Sequence, residues 1–460
     1  MISIDELIAR TLGITPERVT DDLEYQSIRE WDSLGHVSLM VALEGAYGVG
    51  VNDELMLELR TVKAIRNFAA RGGVAQTPDP TPAPQTETVR RGLEGVVFDR
   101  TCITRIDGGE GVLEYRGYGV PELADKASFE EVAYLLVYGS LPGAAALPAF
   151  SAKLRAYRTL PEPVVDLARA LAGAHPAQAL RTLLSALGSF GPSGDTSVDE
   201  TYEEALESGI ALIARVPLLV AAHHAFRSGR EFTVPMGEAS YAESLLATLL
   251  GERPSAAAVR AIEKGLIVHA DHGSNASAFT ARVAIGCRSG MPAALTAAVA
   301  AFSGSVHGGA IERAARIVDE VGTPANAERY VAALHEKCEP VMGFGHRVYR
   351  TEDPRVKPLR ATVVELSEEC DDHTGLAILD AVATAMLPYS RHGVAPNVDL
   401  YAGLAYRLLG LPDDLAIALF AIGRTVGWVA QALEQHANNV LIRPLLEYAG
   451  PRGLSYPAAG

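Results

Sequence analysis

Apolar residues in the first part of the chain recur with the period of an α-helix. Ile2, Leu7, Ile8 and Leu12 follow helical spacing in a short segment that ends near Gly13, and this spacing predicts an amphipathic helix. Similar spacing predicts a second helix that begins at Ser33 and a last one over residues 61–70. We therefore expect residues 1–72 to form a small helical unit with its own core.

A proline-rich stretch follows this unit. Residues 77–84 have the sequence TPDPTPAP, in which four prolines alternate with other residues. Proline lacks a backbone N–H and disfavours both helix and sheet, which predicts an extended spacer of about 3.1 Å per residue. The pattern divides the chain into a unit at 1–72, a linker at 73–89 and a second domain at 90–460.

The second domain begins with short apolar pieces and continues with helical periodicity. Val96–Phe98, Cys102–Thr104 and Gly111–Tyr115 are separated by turn-forming residues, which predicts a small β-hairpin region. From about residue 128 to about 450 the apolar spacing is that of helices. Glycine and proline interrupt it at 139–142, 191–194, 251–254, 343–345 and 393–396. The predicted fold class is mostly α, with a large all-helical second domain.

The composition narrows the classes of partner. The 460 residues are 48% hydrophobic and 21% charged, which allows several domains with large cores. A formal net charge of -16 disfavours nucleic acid and anionic membrane surfaces as partners. No run of about 18 uncharged apolar residues predicts a membrane span, and the N-terminus lacks the signal-peptide pattern. The 4 cysteines form no CxxC pair, which favours the reducing cytoplasm.

A candidate modification site lies at the start of the second predicted helix. The sequence WDSL at 31–34 places Ser33 at a helix N-terminus, whose free N–H groups favour a phosphate. The alternative is that Asp32 or Ser33 simply caps the helix. The segment EWDSLGHVSLMVALE at 30–44 closely resembles acyl carrier proteins, and the resemblance covers nearly all of 1–72. It implies a four-helix bundle with 4'-phosphopantetheine on Ser33, attached by a separate phosphopantetheinyl transferase.

Histidines, arginines and aspartates in the second domain could form a site for a dicarboxylate or an oxo-acid. Arginine binds carboxylates through paired bonds, histidine can polarise a carbonyl or stabilise an enolate, and aspartate can act as a general base. The segments are HADHGSNAS at 269–277, SVHGGA at 305–310, GFGHRVY at 343–349, DPR at 353–355, PNVD at 396–399, GRTVGW at 423–428 and RP at 443–444. His269 and His272, spaced for one helix face, could instead bind a metal, although no third ligand is evident.

Together these motifs resemble the citrate synthase family over about residues 91–450. The resemblance implies large and small helical subdomains, a homodimer with shared active sites, and no metal. Asp399 would remove a proton next to the carbonyl of an acyl thioester, and His307 would donate a hydrogen bond to the resulting enolate oxygen. His346 would polarise the ketone of oxaloacetate. The remaining implied residues are His272, Arg355, Arg424 and Arg443 of the partner subunit for oxaloacetate, and Gly343, Phe344, Gly345, Arg347 and Val348 for coenzyme A.

The implied reaction joins the α-carbon of acetyl-CoA or a similar acyl thioester to oxaloacetate, with thioester hydrolysis, to give citrate or an alkylcitrate. The carrier unit would hold the acyl donor or the product on Ser33, or it would serve another enzyme while free acyl-CoA is the donor. A third possibility is a non-catalytic scaffold whose carrier docks partners, which the intact candidate residues disfavour. Positions that depart from the family's usual residues, and leave the exact substrates open, are Gly273, Ala278, Ser244 and Gln431.

Overall fold

The chain folds into helices with one small sheet. The computed structural model describes residues 3–25, 27–28, 30–31, 33–47, 51, 53–70, 89–93, 95–190, 200–235, 237–337, 339–390 and 393–454. The predicted linker lies outside the described residues except for Val89, and the predicted interruption at 191–194 lies wholly outside them. The mostly α fold class is confirmed.

The N-terminal unit is a bundle of four helices with a separate core. They are α1 Ile4–Leu12, α2 Ser33–Tyr47, α3 Asp53–Glu58 and α4 Val62–Ala70. The Ser3 hydroxyl caps α1 by accepting the Glu6 N–H, and Gly13 ends it with a φ of 65°. The core includes Leu12, Leu43 and Ile65, each without measurable exposure. The helical unit predicted from the apolar spacing is therefore present.

A three-stranded antiparallel sheet opens the second domain. Its strands are β1 Thr104–Asp107, β2 Val112–Tyr115 and β3 Tyr118–Gly119, in that order. The prediction of a strand at Val96–Phe98 is wrong, because the structure has no strand there and Val97 is 89% exposed. A β-branched run forms a strand only where a neighbour accepts its hydrogen bonds.

Helices build the rest of the second domain. Their bounds are α5 Val120–Lys126, α6 Phe129–Tyr138, α7 Ala146–Ala156, α8 Glu162–Ala170, α9 Pro176–Gly188, α10 Tyr202–Arg227, α11 Tyr241–Leu250, α12 Ala256–His269, α13 Ala276–Gly286, α14 Met291–Phe302, α15 Ala310–Ala315, α16 Ile317–Val321, α17 Ala327–Glu336, α18 Val356–Cys370, α19 Thr374–Ala385, α20 Leu387–Ser390, α21 Asp399–Leu408 and α22 Ala416–Ala437. Short 3₁₀ turns lie at Pro16–Arg18, Arg91–Leu93, Pro324–Asn326 and Asp413–Leu415.

Two long apolar helices form the centre of this domain. Both α10 and the segment 413–437, which contains α22, are long and apolar enough to cross a membrane. Their apolar windows are 78% and 100% buried against other helices, which is the pattern of core helices. Helices α15 to α21 form a smaller group that packs on the larger one through contacts of α18 with α12 and of α15 with α22.

The last helix is shorter than the apolar spacing predicts. We expected helical structure to about residue 450, but α22 ends at Ala437. Residues 438–454 continue without helix or strand and are mostly exposed. Their apolar residues include Leu445 and Leu446, which are 85% and 98% exposed. Apolar spacing alone does not distinguish a helix from an extended tail whose apolar residues pack elsewhere.

Candidate active site

Two segments that are distant in the chain are joined where the predicted site lies. The Asn397 N–H donates to the Gly343 carbonyl over 2.9 Å, and its side-chain amide donates to the Gly345 carbonyl over 2.8 Å. The next residue, His346, is thereby brought to the end of α21 that begins with Asp399. The Gly-rich segment and the Pro-Asn segment therefore form one side of the predicted site. We call this site, with its His, Asp and Arg side chains, the cleft.

Glycine is required where the first of these segments approaches α21. Gly343 has a φ of 78°, and a Cβ on it would lie 2.9 Å from Leu400 Cα. Gly345 has a φ of 77°, a region that side chains also disfavour. The predicted coenzyme A residues Gly343, Phe344, Gly345, Arg347 and Val348 all lie in this loop, and Arg347 and Val348 are exposed at its end.

The side chains of His272 and His346 lie together with Tyr349. The two imidazole centroids are 4.9 Å apart, and His272 Nε2 is 3.1 Å from the Tyr349 hydroxyl. His346 Nδ1 accepts the backbone N–H groups of Val348 and Tyr349 over 3.0 and 3.2 Å. A nitrogen that accepts two N–H bonds carries no proton, so neutral His346 has its proton on Nε2. That N–H can donate to a ligand carbonyl.

Burial and positive charge keep the three candidate imidazoles neutral. Desolvation, followed by the charge of Arg355, lowers the pKa of His346 to about 4. Desolvation, followed by Arg424, lowers the pKa of His307 to about 4. Burial and then Arg355 lower the pKa of His272 well below its ordinary value. At neutral pH these groups can donate N–H hydrogen bonds without carrying charge.

His307 is held by a shared hydroxyl. Its Nε2 is 2.9 Å from Ser277 Oγ, which also accepts the Trp428 indole N–H over 3.0 Å. Ser277 Oγ lies 2.7 Å from Asn275 Oδ1 as well. The hydroxyl has one proton, so it donates either to Asn275 or to His307. In the second arrangement the proton of His307 is on Nδ1, free to donate to a ligand.

Asp399 combines a partly open position with a strongly raised pKa. Desolvation by the surrounding protein raises the pKa of this carboxyl to about 7; Arg355 and Arg424 oppose the rise, and Asp353 adds to it. A base with a pKa near the working pH is the most effective proton acceptor. The same two arginines lower the pKa of His272, Arg424 lowers that of His307, and Arg355 lowers that of His346. Asp399, the three imidazoles and the two arginines are therefore close enough to influence one another's charge.

Arg355 enters the cleft already paired. Its Nε and Nη2 donate to Asp353 Oδ1 and Oδ2 over 2.9 and 2.6 Å, and both side chains are buried. Burial disfavours both charges, but their attraction outweighs it, so the pKa of Arg355 rises and that of Asp353 falls. Asp353 also accepts the Val398 N–H over 3.2 Å. Asp353 therefore partly neutralises an arginine that the sequence suggests for ligand binding.

Arg424 has its terminal nitrogens available. Its Nε donates to the His269 carbonyl over 2.6 Å, and its guanidinium lies over the Phe420 ring at 5.0 Å. Burial lowers its pKa to about 10, although Asp271 opposes this. Within the described ranges, neither Nη1 nor Nη2 has a hydrogen-bond partner. A buried guanidinium with two free donors is suited to bind a carboxylate through paired bonds.

Two glycines allow α22 to bring Arg424 to this position. A Cβ on Gly427 would lie 2.1 Å from the Ala270 carbonyl oxygen, and one on Gly423 would lie 2.9 Å from the Leu266 carbonyl oxygen. The helix therefore packs directly on the C-terminal end of α12 and the loop that follows. This close approach places Arg424 Nε on the His269 carbonyl.

Asp271 is a buried charged residue to which the sequence analysis assigned no role. Its Oδ2 accepts from Thr104 Oγ1 over 2.6 Å, and from Gln431 Nε2 and the Gly273 N–H over 3.0 Å each. Its Oδ1 is buried and has no hydrogen-bond partner within the described residues. The position of Asp271 between His269 and His272 was the feature of the sequence that could have indicated its role. Asp271 links the sheet, α22 and the loop that carries His272.

The idea of a metal on one helix face is not supported. Helix α12 ends at His269, so His272 lies beyond it on the loop. His269 stacks on Phe420 at 3.8 Å, and its Nδ1 is 3.3 Å from the Tyr406 hydroxyl, whereas His272 contacts Tyr349. The part of the chain that the structure describes holds no group of three His, Cys, Asp or Glu residues placed for a metal.

Two predicted residues lie away from this cluster. Arg443 is exposed on the tail that follows α22, and among the residues that the structure describes no hydrogen bond or ion pair joins it to the cleft of its own chain. Ser33 is the first residue of α2, as predicted, but its side chain lies outside the described part of the structure.

Comparison with known families decides what this cleft belongs to. Residues 92–445 match the model of the citrate synthase C-terminal domain. The chain belongs to the citrate synthase family. Residues 3–68 match the model of the phosphopantetheine attachment site, so this citrate synthase family member carries an N-terminal carrier domain.

The match extends over nearly the whole length of the citrate synthase relatives. Citrate synthase 2 of Bacillus subtilis is 40% identical, over 79% of this chain and 96% of that relative. A 2-methylcitrate synthase of Corynebacterium glutamicum is 38% identical over the same shares. The solved citrate synthase of Thermoplasma acidophilum, a ternary complex with carboxymethyl coenzyme A and oxaloacetate, is 30% identical with a TM-score of 0.77, over 81% of this chain and 99% of that one. The chain is a citrate synthase-like enzyme.

Proposed function

We propose that this enzyme joins the α-carbon of an acyl-CoA to the ketone carbon of oxaloacetate and then hydrolyses the thioester. The observation that carries the proposal is the buried Arg424, with two free donors beside neutral imidazoles and a carboxyl of pKa about 7. A dianionic oxo-acid supplies the missing negative charge, and the neutral N–H groups fit its carbonyl. The relatives named as citrate and 2-methylcitrate synthases support the same chemistry.

Each candidate residue has a step in this reaction. Asp399 takes the proton from the carbon next to the thioester carbonyl, while His307 donates to the oxygen that gains charge. The enol carbon attacks the ketone of oxaloacetate, which His346 Nε2–H polarises by donating to its oxygen. The oxygen becomes an alcohol, and the proton removed by Asp399 balances the proton that the alcohol gains. Water then cleaves the thioester and releases the free thiol. The remaining proposed roles are carboxylate binding by His272, Arg355, Arg424 and Arg443 of the partner subunit, and coenzyme A binding by Gly343, Phe344, Gly345, Arg347 and Val348.

The assignment of the base is tested by Asp399→Asn. The purified enzyme is mixed with acetyl-CoA and oxaloacetate, and release of free thiol is followed. The variant should lose about 10²–10⁴-fold in kcat, because the amide accepts no proton. Helical content and subunit association, measured in parallel, should not change. Turnover near that of the parent would refute this base, whereas absence of turnover in the parent itself would favour the non-catalytic scaffold.

The tail supports a homodimer in which two chains complete each site. Leu445, Leu446 and Tyr448 are 85%, 98% and 60% exposed, more apolar surface than an isolated tail would leave in water. A second copy of the chain would cover it and receive Arg443.

Three cysteines in the described part of the chain are free thiols, which supports a reducing, cytoplasmic setting.

For the carrier we propose phosphopantetheine on Ser33, added by a phosphopantetheinyl transferase, on a domain at 1–72 joined through 73–89 to the synthase at 90–460. Ser33 begins α2, where N–H groups favour a phosphate. Free acyl-CoA remains a competent donor in this proposal, because the exposed Arg347 and Val348 keep the coenzyme A loop open to solvent. A tethered acyl group would reach the same cleft at high effective concentration.

The two donors are separated by Ser33→Ala. The holo enzyme and the variant are supplied with oxaloacetate and acetyl-CoA, and the holo enzyme is also tested with an acyl group preloaded on its carrier. Intact-protein mass spectrometry follows the mass on Ser33 while free thiol is assayed. We expect the variant to keep turnover with acetyl-CoA and the holo enzyme to consume the preloaded group. Loss of turnover with acetyl-CoA would make the carrier obligatory, and absence of any added mass on Ser33 would exclude it as the attachment site.

A further inference from the structure

The start of the C-terminal tail is held by its own domain, whereas the rest is not. Asn439 Nδ2 donates to the Ile285 carbonyl, at the end of α13, over 3.0 Å. Gln435 Nε2 lies 3.2 Å from the Val440 carbonyl and 3.4 Å from Asn439 Oδ1. Gln435 is 1% exposed, although it is an uncharged polar side chain near the end of α22. These bonds fix the path of the chain just before Arg443.

Glycine at the end of α13 completes this arrangement. A Cβ on Gly286 would lie 3.0 Å from the Val440 carbonyl oxygen and 3.4 Å from the Ile442 backbone nitrogen. Any side chain there would push the tail outward. Val440 and Leu441 are already 60% and 58% exposed, Ile442 is half-buried, and Arg443 and the residues after it are exposed. The tail is therefore held at its own domain by contacts of Asn439, Val440 and Ile442, and Arg443 follows directly.

The same anchor is connected to the polar network beneath the cleft. Arg282 Nε donates to Gln431 Oε1 over 2.7 Å, and Arg282 Nη1 lies 3.5 Å from Gln435 Oε1. Arg282 also forms a close ion pair with Glu434. Because Gln431 in turn binds Asp271, a change at Arg282 would disturb the cleft of its own chain. Gly286 touches the tail without touching that network, and among the described residues Asn439 meets the network through its 3.4 Å contact with Gln435. Changes at these two positions therefore test the anchor with less effect on the cleft than a change at Arg282.

We propose that Gly286, Gln435 and Asn439 are positioning residues that aim Arg443 into the oxaloacetate site of the partner subunit. This inference rests on the proposed function, in which two chains share each site. An arginine at the end of an anchored chain loses less conformational freedom on binding a carboxylate than one on a loose tail. The anchor therefore acts on the neighbour's oxaloacetate affinity and leaves its own cleft untouched.

Mixed dimers test this directly. One chain carries Arg443→Ala and keeps its cleft, and the other carries Asp399→Asn and keeps its tail. Two different affinity tags isolate the mixed dimer, which has a single complete site. Asn439→Ala is then added to either chain. On the tail-giving chain it should raise the KM for oxaloacetate about tenfold with kcat changed less, whereas on the cleft-giving chain it should leave KM within about twofold.

Matched variants make the result decisive. Asn438→Ala changes the neighbouring exposed residue, whose side chain has no hydrogen bond to any residue in the described ranges, and should have no effect on either chain. Gly286→Ala removes no hydrogen bond but displaces the tail, and should repeat the Asn439→Ala pattern. Equal effects on both chains, or no effect on the tail-giving chain, would overturn the anchor. If the mixed dimer without further changes is no more active than its parents, the shared site itself fails, and the inference fails with it.

Discussion

Single residues in the cleft owe their chemistry to burial rather than to their type. An exposed aspartate is a weak base and an exposed histidine is often charged near neutral pH. Here desolvation raises the pKa of the aspartate and lowers the pKa of the histidines. Asp399 has a pKa of about 7, whereas His307 and His346 have pKa values of about 4. The carboxyl gains basicity and the imidazoles remain neutral donors, which separates the proposed base from the proposed hydrogen-bond donors.

The pH dependence of turnover follows from these values. We expect kcat/KM for the acyl thioester to rise with pH through about 7, because Asp399 accepts a proton only after it has lost its own. The two histidines stay neutral across that range and add no second limb. A series of buffers between about pH 6 and pH 8 at constant ionic strength measures this. A profile that is flat across the series would contradict the raised pKa.

The same shift gives a prediction about stability. The folded-state pKa of Asp399 lies above that of an exposed aspartate, so its contribution to stability is present at low pH and is lost as pH rises through about 7. Asp399→Asn, which cannot ionise, should therefore have a higher Tm than the parent above pH 7 and a smaller advantage below. Calorimetry at two pH values compares them, and an equal Tm difference at both would count against the shift.

The hydroxyl of Ser277 decides which nitrogen of His307 carries the proton. Ser277→Ala removes that partner and leaves the Trp428 N–H without its acceptor, so we expect kcat to fall about tenfold or more with little change in the KM for oxaloacetate. Thr280→Ala is the matched control, because this hydroxyl on the same helix has the Ala276 carbonyl as its single partner among the described residues. Steady-state kinetics of both variants checks the prediction. A rise in KM without loss of kcat would point to a role in binding instead.

At the scale of elements, the close contact of α22 with α12 positions Arg424, the arginine that we propose binds oxaloacetate. Helices usually keep 8–10 Å between their axes, and side chains fill the space. Gly423 and Gly427 remove that spacing on one face of α22, which lets Arg424 reach the His269 carbonyl. The two glycines of GRTVGW therefore allow the close approach of the two helices. The sequence motif alone indicates an arginine but does not reveal this contact.

Gly427→Ala tests this contact. The added methyl group would overlap the Ala270 carbonyl, so we expect about 1–3 kcal/mol lower free energy of unfolding and a raised KM for oxaloacetate. Gly265→Ala is the control, because a Cβ there would meet Tyr406 atoms only at ordinary contact distances of 3.6 and 3.8 Å. Denaturant unfolding and kinetics of the two variants give the comparison. Equal behaviour of both would mean that α22 tolerates the shift.

At the scale of the whole molecule, the carrier and the synthase have separate hydrophobic cores. The carrier core forms one cluster of buried residues and the synthase core another. Between them lies a proline-rich sequence that favours an extended chain. Two units with independent cores unfold independently unless a large interface couples them.

Ligand binding should therefore stabilise only one unit. We expect calorimetry to show two transitions, of which only the larger moves to higher temperature with oxaloacetate. The free energy of unfolding of that unit should rise by about 2.7 kcal/mol at an oxaloacetate concentration 100 times its Kd. Arg424→Leu should abolish the shift, since it removes the free donors. A single transition, or a shift of both, would show that the two units are coupled.

Much of this architecture could be predicted from the spacing of apolar residues. Three of the four carrier helices, the start of α2 at Ser33 and the helical character of the second domain follow from local patterns, whereas α3 was not predicted from the apolar spacing. The missing strand at Val96–Phe98 and the non-helical tail could not be predicted, because each depends on what packs against it. The pairing of Asp353 with Arg355 likewise depends on burial, which turns two adjacent motif residues into an ion pair.

The sequence by itself determined which elements form and which side chains are available for chemistry. Helical periodicity, the glycines and prolines that interrupt it, and the His, Asp and Arg motifs are all local properties of the chain. Only the tertiary structure decided their electrostatic state, through the distances that it sets between residues far apart in sequence. Burial raised the pKa of Asp399, paired Arg355 with Asp353 and left Arg424 with free donors. Each of these depends on the water that folding excludes, which no local pattern records.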